Sequence, residues 1–268
     1  MKRFVFLIML LGCMSTTAAA LDWWEDEEVE QDPQVSLEVK AWINRLRGNI
    51  AWGRSDNPGS DISFRDDLNL GSSSFAPYIG LNVGLSENWS FRFHFWRAFH
   101  EERHDFPRDI DFAGTTFAQG TDTMSEFSLS TYSALAGYRF IDGPQIDVTG
   151  MFGVALFRTR MEMFTEPDNP VTRDSLIPAP QLGIGVDVEL LKNLVLRGHV
   201  TGMYSTLDKF DGCQTDLEAS FVWTVADGLE LIAGYKAFRA NVDFNKRNRT
   251  DSADFTAEGP FVGLGFRF

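Results

Sequence analysis

His100, Glu101 and His104 form the string His-Glu-x-x-His, the residue pattern in this chain that points most directly to chemistry. On a helix, two histidines four residues apart share a face and can bind one zinc ion, with the glutamate as general base. Here the string follows alternating apolar residues, among them Phe91 and Phe95, so the pattern predicts a strand. Four residues of extended chain span about 13 Å, too far for both histidines to bind one zinc ion. We therefore expect no metal site, and the three residues stay weak candidates.

A larger group of titratable residues alternates with apolar residues along the chain. It includes two Arg-x-His sequences, Arg92 to His94 and Arg197 to His199. Buried charges persist only when they are paired and hydrogen-bonded, so we predict that this group forms one network inside the fold. Because histidine titrates near neutral pH, an alternative is a pH-sensitive constriction at His94 and His199. The predicted network consists of Glu38, Lys40, Arg92, His94, Arg139, Asp147, Asp187, Glu189, Arg197, His199, Glu218, Glu230, Lys236 and Arg267.

Strands must position these residues, because apolar and polar residues alternate with a period of two from Gln34 to the end of the chain. Very short connections alternate with longer ones, as in a barrel with short turns at one end and long loops at the other. We therefore predict an all-β fold, a closed antiparallel transmembrane β-barrel of ten strands, or of eight if a segment is misread. The predicted segments are Gln34–Gly53, Phe75–Ser86, Asn88–Glu101, Thr123–Phe140, Gln145–Arg160, Ile177–Leu190, Asn193–Ser205, Gln214–Val225, Leu229–Phe244 and Phe255–Phe268.

The first 33 residues contain no such alternation. Two basic residues, an apolar run and Ala18 to Ala20 are typical of a cleaved export signal at residues 1–20. An alternative is a lipobox ending at Cys13, which would make that cysteine the lipidated N-terminus. Residues 21–33 are rich in carboxylates that repel one another, so we predict a disordered acidic periplasmic leader. The barrel then occupies residues 34–268.

Charge and cysteine content narrow the possible partners. The formal net charge of −14 argues against nucleic acid as a partner. After cleavage of the signal only Cys213 remains, so we expect no internal disulfide. No residue set predicts a cofactor.

The last ten residues, 259–268, alternate apolar with small or charged residues and end in phenylalanine. Together with the export signal and the alternating strands, they resemble the outer-membrane β-barrel proteins of Gram-negative bacteria. The resemblance implies that Phe266 and Phe268 belong to a signal read by the barrel-assembly machinery. It also implies contact with outer-membrane lipid and lipopolysaccharide. Ten strands are similar to the omptin proteases, but the sequence has no counterpart of their paired Asp and Asp–His sites in matching positions.

Several functions fit this architecture. The leading hypothesis is a non-enzymatic outer-membrane protein with a structural or adhesive role, or a narrow channel with a charge-filled lumen. The alternative is an outer-membrane hydrolase, a protease or a lipid-modifying enzyme, that uses loop residues 100–111. Such an enzyme should bring several of these side chains together. A soluble periplasmic β-sandwich is a third possibility, and it would bury the phenylalanine faces between two sheets.

Overall fold

The computed structural model describes residues 34–53, 59–165, 170–207, 210–246 and 249–268. The predicted export signal, Cys13 and the acidic leader lie outside the described residues. No helix in the described part of the chain is long and apolar enough to cross a membrane.

The described residues form thirteen strands. The strands are β1 (Val35–Gly53), β2 (Ile62–Ser63), β3 (Ser73–Gly84), β4 (Trp89–Asp105), β5 (Ile110–Phe112), β6 (Thr115–Phe117), β7 (Asp122–Asp142), β8 (Ile146–Phe164), β9 (Val171–Leu191), β10 (Leu194–Leu207), β11 (Phe210–Ala226), β12 (Leu229–Lys246) and β13 (Arg249–Arg267).

Ten of these strands close into an antiparallel barrel in the order β1, β3, β4 and β7 to β13. The last strand pairs with the first from Ser36 opposite Arg267 to Gly53 opposite Thr250. This ladder confirms the ten-stranded closed barrel, and the eight-stranded alternative is wrong. We call the end with the turns that follow β3, β7, β9 and β11 the turn end, and the opposite end the loop end.

The two faces of each strand differ as the alternation predicts. Large apolar side chains such as Phe93, Phe221 and Val262 are exposed on the outer surface. Their neighbours in sequence, such as His94 and Ser220, point into the barrel and are buried. Because no second sheet covers the apolar outer faces among the described residues, the β-sandwich interpretation is wrong. An apolar band of this kind is what a barrel presents to lipid.

Several strands continue past the predicted segment ends. The expected loops at 206–213 and 245–254 are largely strand, since β10 and β11 pair to Leu207 opposite Phe210. The same holds for β12 and β13, which pair to Lys246 opposite Arg249. These stretches carry polar residues that end an apolar alternation, but paired strands do not need an apolar outer face where that face meets water. The sequence pattern therefore identified these strands but predicted them too short at the loop end of the barrel.

Part of the long connection after β1 folds back into the mouth of the barrel. Its short strand β2 pairs with β1, with Ile62 opposite Ile50. Phe64 follows and donates its amide to the Gly48 carbonyl at 3.0 Å, and its ring centroid lies 4.7 Å from that of Phe127 with the two rings tilted by 60°. The apolar side chains of this segment are fully buried, and they are Ile62, Phe64, Leu68 and Leu70.

The hairpin β5–β6, from the second long connection, packs beside this segment. The Ala113 amide donates to the Trp52 carbonyl at 2.9 Å, and the Phe112 ring lies 5.7 Å from that of Trp52. Arg108 links the two connections through an ion pair with Asp67 at 2.7 Å, and this hydrogen-bonded pair raises the pKa of Arg108. We call the folded-back segment 59–72 and the hairpin together the plug.

The apolar band gives a direct prediction about Phe221, which lies near its mid-depth on β11. Phe221→Arg should lower the free energy of unfolding by about 2–4 kcal/mol, because a charge there replaces lipid contact. Urea titration of the protein in lipid vesicles measures this change. Phe221→Leu is the matched control and should lose much less. Equal losses for the two variants would show that this face does not contact lipid.

Candidate functional site

Charged side chains in the turn-end half of the lumen form a connected cluster, which we call the charged layer. Lys40 on β1 lies 2.5 Å from Glu218 on β11 and 2.8 Å from Glu38. Arg197 on β10 contacts Glu38 at 3.0 Å and Asp187 at 3.1 Å. The Lys40 and Glu218 side chains are only 4% and 1% exposed. The structure therefore brings these five residues into contact across the barrel, from β1 to β11.

A second lysine joins the charged layer through a partner that the sequence analysis did not include. Lys236 forms an ion pair with Asp216, and its Nζ lies 3.9 Å from Glu218. Asp216 shares the inward face of β11 with Glu218, two residues away, and that spacing is the signal that could have identified it. Since both lysines reach Glu218, this carboxylate is the centre of the cluster.

The two Arg-x-His sequences also point into the lumen. His94 is buried and stacks on Tyr78, with ring centroids 5.7 Å apart. His199 lies opposite Glu218 in the ladder between β10 and β11. Arg92 directs Nη1 toward the Met151 sulfur at 3.9 Å. The histidines therefore belong to the charged layer, and their pH-sensitive role stays a prediction.

The remaining members of the predicted network lie at the turn end. Arg267 forms an ion pair with Glu230. Arg139 lies 3.6 Å from Asp142, a partner that was not predicted, and both side chains are substantially exposed. Asp147 and Glu189 are on inward positions near the same end, half-buried and exposed respectively. Glu230 is itself buried, at 5% exposed, and the other residues form a more exposed rim around the turn end.

The loop-end half of the lumen is mostly apolar, a feature that the prediction of a charge-filled lumen missed. Lys236 lies 5.8 Å from the Trp42 ring and 5.7 Å from the Trp96 ring, so cation–π contacts join the charged layer to this half. From there the rings continue from Trp96 to Phe238 at 5.2 Å and from Phe238 to Phe255 at 6.1 Å. Phe255 in turn contacts Phe64 of the plug at 6.1 Å. The sequence signal for these residues was present as inward positions on predicted strands.

The His-Glu-x-x-His string lies in an extended part of β4, as expected. His100 points inward, is buried, and forms a 2.9 Å hydrogen bond with Asn44. Glu101 points to the outside and is exposed, while the His104 ring packs against Phe106. No three His, Cys, Asp or Glu side chains among the described residues are grouped so that they could hold a metal ion.

The acidic residues further along the same connection have separate local partners. Asp109 accepts a hydrogen bond from the Gln119 amide at 2.7 Å, and Asp111 accepts one from Thr116 at 2.5 Å. Neither carboxylate has a described contact with the histidines of the string. The residues at 100–111 therefore do not converge on one point.

Comparisons with known proteins give a fold and no family. No family model matches the sequence, and no curated protein matches it. The outer-membrane protease OmpT from Escherichia coli superposes with a TM-score of 0.52 at 8% identity, over 90% of this chain and 98% of that one. Ail, the attachment invasion locus protein of Yersinia pestis, in complex with the heparin analogue sucrose octasulfate, gives 0.42 at 11% identity over 89% and 100%. Neisserial surface protein A gives 0.39 at 12% identity over the same shares. The OmpT match shows that this chain has the fold of an outer-membrane β-barrel protein.

The central ion pair of the charged layer can be tested by a double-mutant cycle. Lys40→Met should cost about 3–5 kcal/mol, because it leaves buried Glu218 without its nearest cation. The loss should fall toward the low end of that range, since Lys236 remains near Glu218. Lys40→Met combined with Glu218→Gln should recover part of the loss. Urea unfolding in vesicles, followed by tryptophan fluorescence, measures Lys40→Met, Glu218→Gln and the double variant, and strictly additive losses would contradict the pairing.

Proposed function

We propose that this chain is a non-enzymatic outer-membrane protein whose barrel does not conduct, and that it has a structural or adhesive role at the cell surface. The observation that carries this proposal is the filled lumen. The charged layer occupies the turn-end half, aromatic side chains occupy the loop-end half, and the plug covers the mouth. A narrow channel fits the structure less well than a structural or adhesive role. A solute would have to displace the charged layer, the aromatic side chains and the plug.

The burial of individual side chains supports the closed lumen. Trp42, Trp96 and Phe238 are each at most 1% exposed although they lie in the barrel interior. Lys40 and Lys236, in the layer below, are 5% and 2% exposed. Side chains that line a water-filled pore would be hydrated. This interior is packed as in a small barrel.

The loop end offers a surface for a structural or adhesive role. The outward residues of β8 change from Val154 and Leu156 to Arg158 and Arg160, so the strand leaves the apolar band at this point. β8 then continues to Phe164, and six more residues add about 20 Å of paired strand. In a bacterial barrel the long connections face outward, so this rim would lie at the cell surface.

The same rim fits the proposed contact with lipopolysaccharide. Arg158 and Arg160 are exposed and could contact phosphate groups, although each also pairs with a neighbouring carboxylate, Asp174 and Glu162. Assembly by the barrel-assembly machinery, reading Phe266 and Phe268, remains part of the proposal. The negative net charge makes nucleic acid an unsuitable partner.

Conductance in a planar lipid bilayer tests the non-conducting barrel. The refolded wild-type protein should give no stable single-channel steps, because the charged layer and the plug close the lumen in series. Deletion of residues 110–117 should also give none, since the charged layer remains. Heat-modifiable migration on a gel shows that the inserted protein is folded. Reproducible steps from the folded wild type would overturn the proposal in favour of a narrow channel.

Zinc titration tests the proposal that the protein is not a zinc-dependent hydrolase. Because His100 and His104 lie on an extended strand and do not converge with a third ligand, the folded protein should bind no stoichiometric zinc in isothermal titration calorimetry. His100→Ala and His104→Ala should give the same flat titration. Stoichiometric binding that disappears in either variant would restore the hydrolase alternative.

A further inference from the structure

The outer surface of the barrel has a groove near the turn end, which we call the outer groove. It encloses about 660 Å³ and is open to the surroundings along part of its surface. Its apolar wall crosses four strands, from β10 to β13, and consists mainly of Leu194, Phe221, Trp223, Leu231 and Val262. The groove therefore lies within the apolar band, on the face that the barrel presents to lipid.

A small side chain between two larger ones forms the floor of the outer groove. The ladders place Phe221, Ala233 and Val262 in one row across β11, β12 and β13. All three point outward, so the Ala233 methyl leaves a depression between the larger side chains on either side. The two flanking strands are two strand spacings, about 10 Å, apart. The depression is therefore about one side chain wide.

The position and the width of the outer groove decide what can fill it. Phe221 and Val262 are 52% and 60% exposed although both are apolar. Since they belong to the apolar band, a molecule that covers them comes from the membrane and not from water. The outer wall of a second barrel is convex and does not enter a groove one side chain wide, whereas an extended alkyl chain does. The outer groove therefore fits an acyl chain.

The turn-end side of the outer groove carries a positive charge. Leu191 and Asn193 line this side, and Lys192 lies between them in the turn from β9 to β10. Lys192 is exposed, and none of the ion pairs between described residues includes it. Trp223 pairs with Leu194 directly beside this turn, and tryptophan is enriched where hydrocarbon meets the headgroups. A lysine at that level attracts the phosphate of a lipid headgroup.

The other three turns of the turn end carry the opposite charge. Glu87 lies in the turn after β3, Asp142 ends β7, and Asp227 lies in the turn after β11. A carboxylate repels a phosphate, so the turn with Lys192 is the one of the four that favours phosphate binding. Asp227 is the acid nearest in sequence to the outer groove, and the four residues from Trp223 to Asp227 span up to about 13 Å of chain.

We propose that the outer groove binds one phospholipid of the leaflet at the turn end, with an acyl chain along Phe221 and Ala233 and the phosphate on Lys192. The apolar groove and the adjoining cation match the two parts of such a lipid, the alkyl tail and the charged phosphodiester. The inference rests on the proposed function, in which the barrel lies in the outer membrane. It deepens that proposal by naming a lipid class and the residues that bind it.

A second row of the same composition provides a matched control. Phe93, Ala134 and Val154 lie in one row across β4, β7 and β8, and they also point outward. The turns that adjoin these strands carry Glu87 and Asp142, so a phosphate is repelled there. No phospholipid site is therefore proposed for this row.

Native mass spectrometry of the folded protein in detergent tests the site. Titration with phosphatidylglycerol should give a species with one bound lipid that persists when the detergent is removed. Ala233→Leu should abolish this species by filling the groove, and Ala134→Leu should leave it unchanged. Lys192→Gln should weaken binding about fivefold, whereas Arg97→Gln, which removes an exposed cation nearer the loop end, should not. Heat-modifiable migration checks that each variant is folded.

The same titrations identify the results that would contradict the site. Survival of the one-lipid species in Ala233→Leu, or its loss in Ala134→Leu, would overturn the proposal. Diacylglycerol, which has the same tails without the phosphate, should bind at least about fivefold more weakly, and equal binding would rule out the contact with Lys192. A protein dimer that disappears in Ala233→Leu would identify a second copy of the chain as the occupant instead.

Nuclear Overhauser effects locate the bound lipid. The protein carries labelled alanine methyl groups in deuterated detergent with one equivalent of protonated phosphatidylglycerol. The Ala233 methyl should show contacts with acyl protons, and the Ala134 methyl should show none. Equal contacts at both methyl groups would mean that lipid covers the band without a specific site, and would overturn the proposal. Absence of bound lipid from folded protein that is silent in bilayers would overturn this site and leave the non-conducting barrel intact.

Discussion

The structure depends on one requirement, that every backbone amide and carbonyl in the apolar band has a partner within the protein. Lipid offers no hydrogen bonds, so a sheet can lie in it only when its first and last strands meet. The ladder between β13 and β1 meets this requirement over nearly the full length of both strands. Once the barrel is closed, side chains alternate between lipid and lumen, and the lumen must be filled by whatever points inward.

The lumen is filled in two different ways. In the turn-end half, acids and bases neutralise one another around Glu218, because isolated charges could not remain buried there. In the loop-end half, aromatic rings fill the interior and the plug completes it. The two fillings meet where Lys40 and Lys236 lie over Tyr78, Trp42 and Trp96. An ammonium group over an aromatic face is compatible with both environments, so this contact allows a polar and an apolar core to share one barrel.

The alternation of the sequence predicted the closed barrel and much of the charged layer, but not the apolar half. The reason is that the pattern inverts along each strand. On β12, Lys236 points inward and Tyr235 outward near the lipid, whereas closer to the loop end Phe238 points inward and Arg239 outward. The outer surface changes from lipid to water at that level, so the polar face changes sides. A single assignment of polar residues to the lumen is therefore correct for only half of each strand. The plug escaped prediction for another reason. Its apolar residues come in short pairs, such as Ile62 with Phe64 and Leu68 with Leu70, which are too short to predict a strand and are buried by tertiary packing.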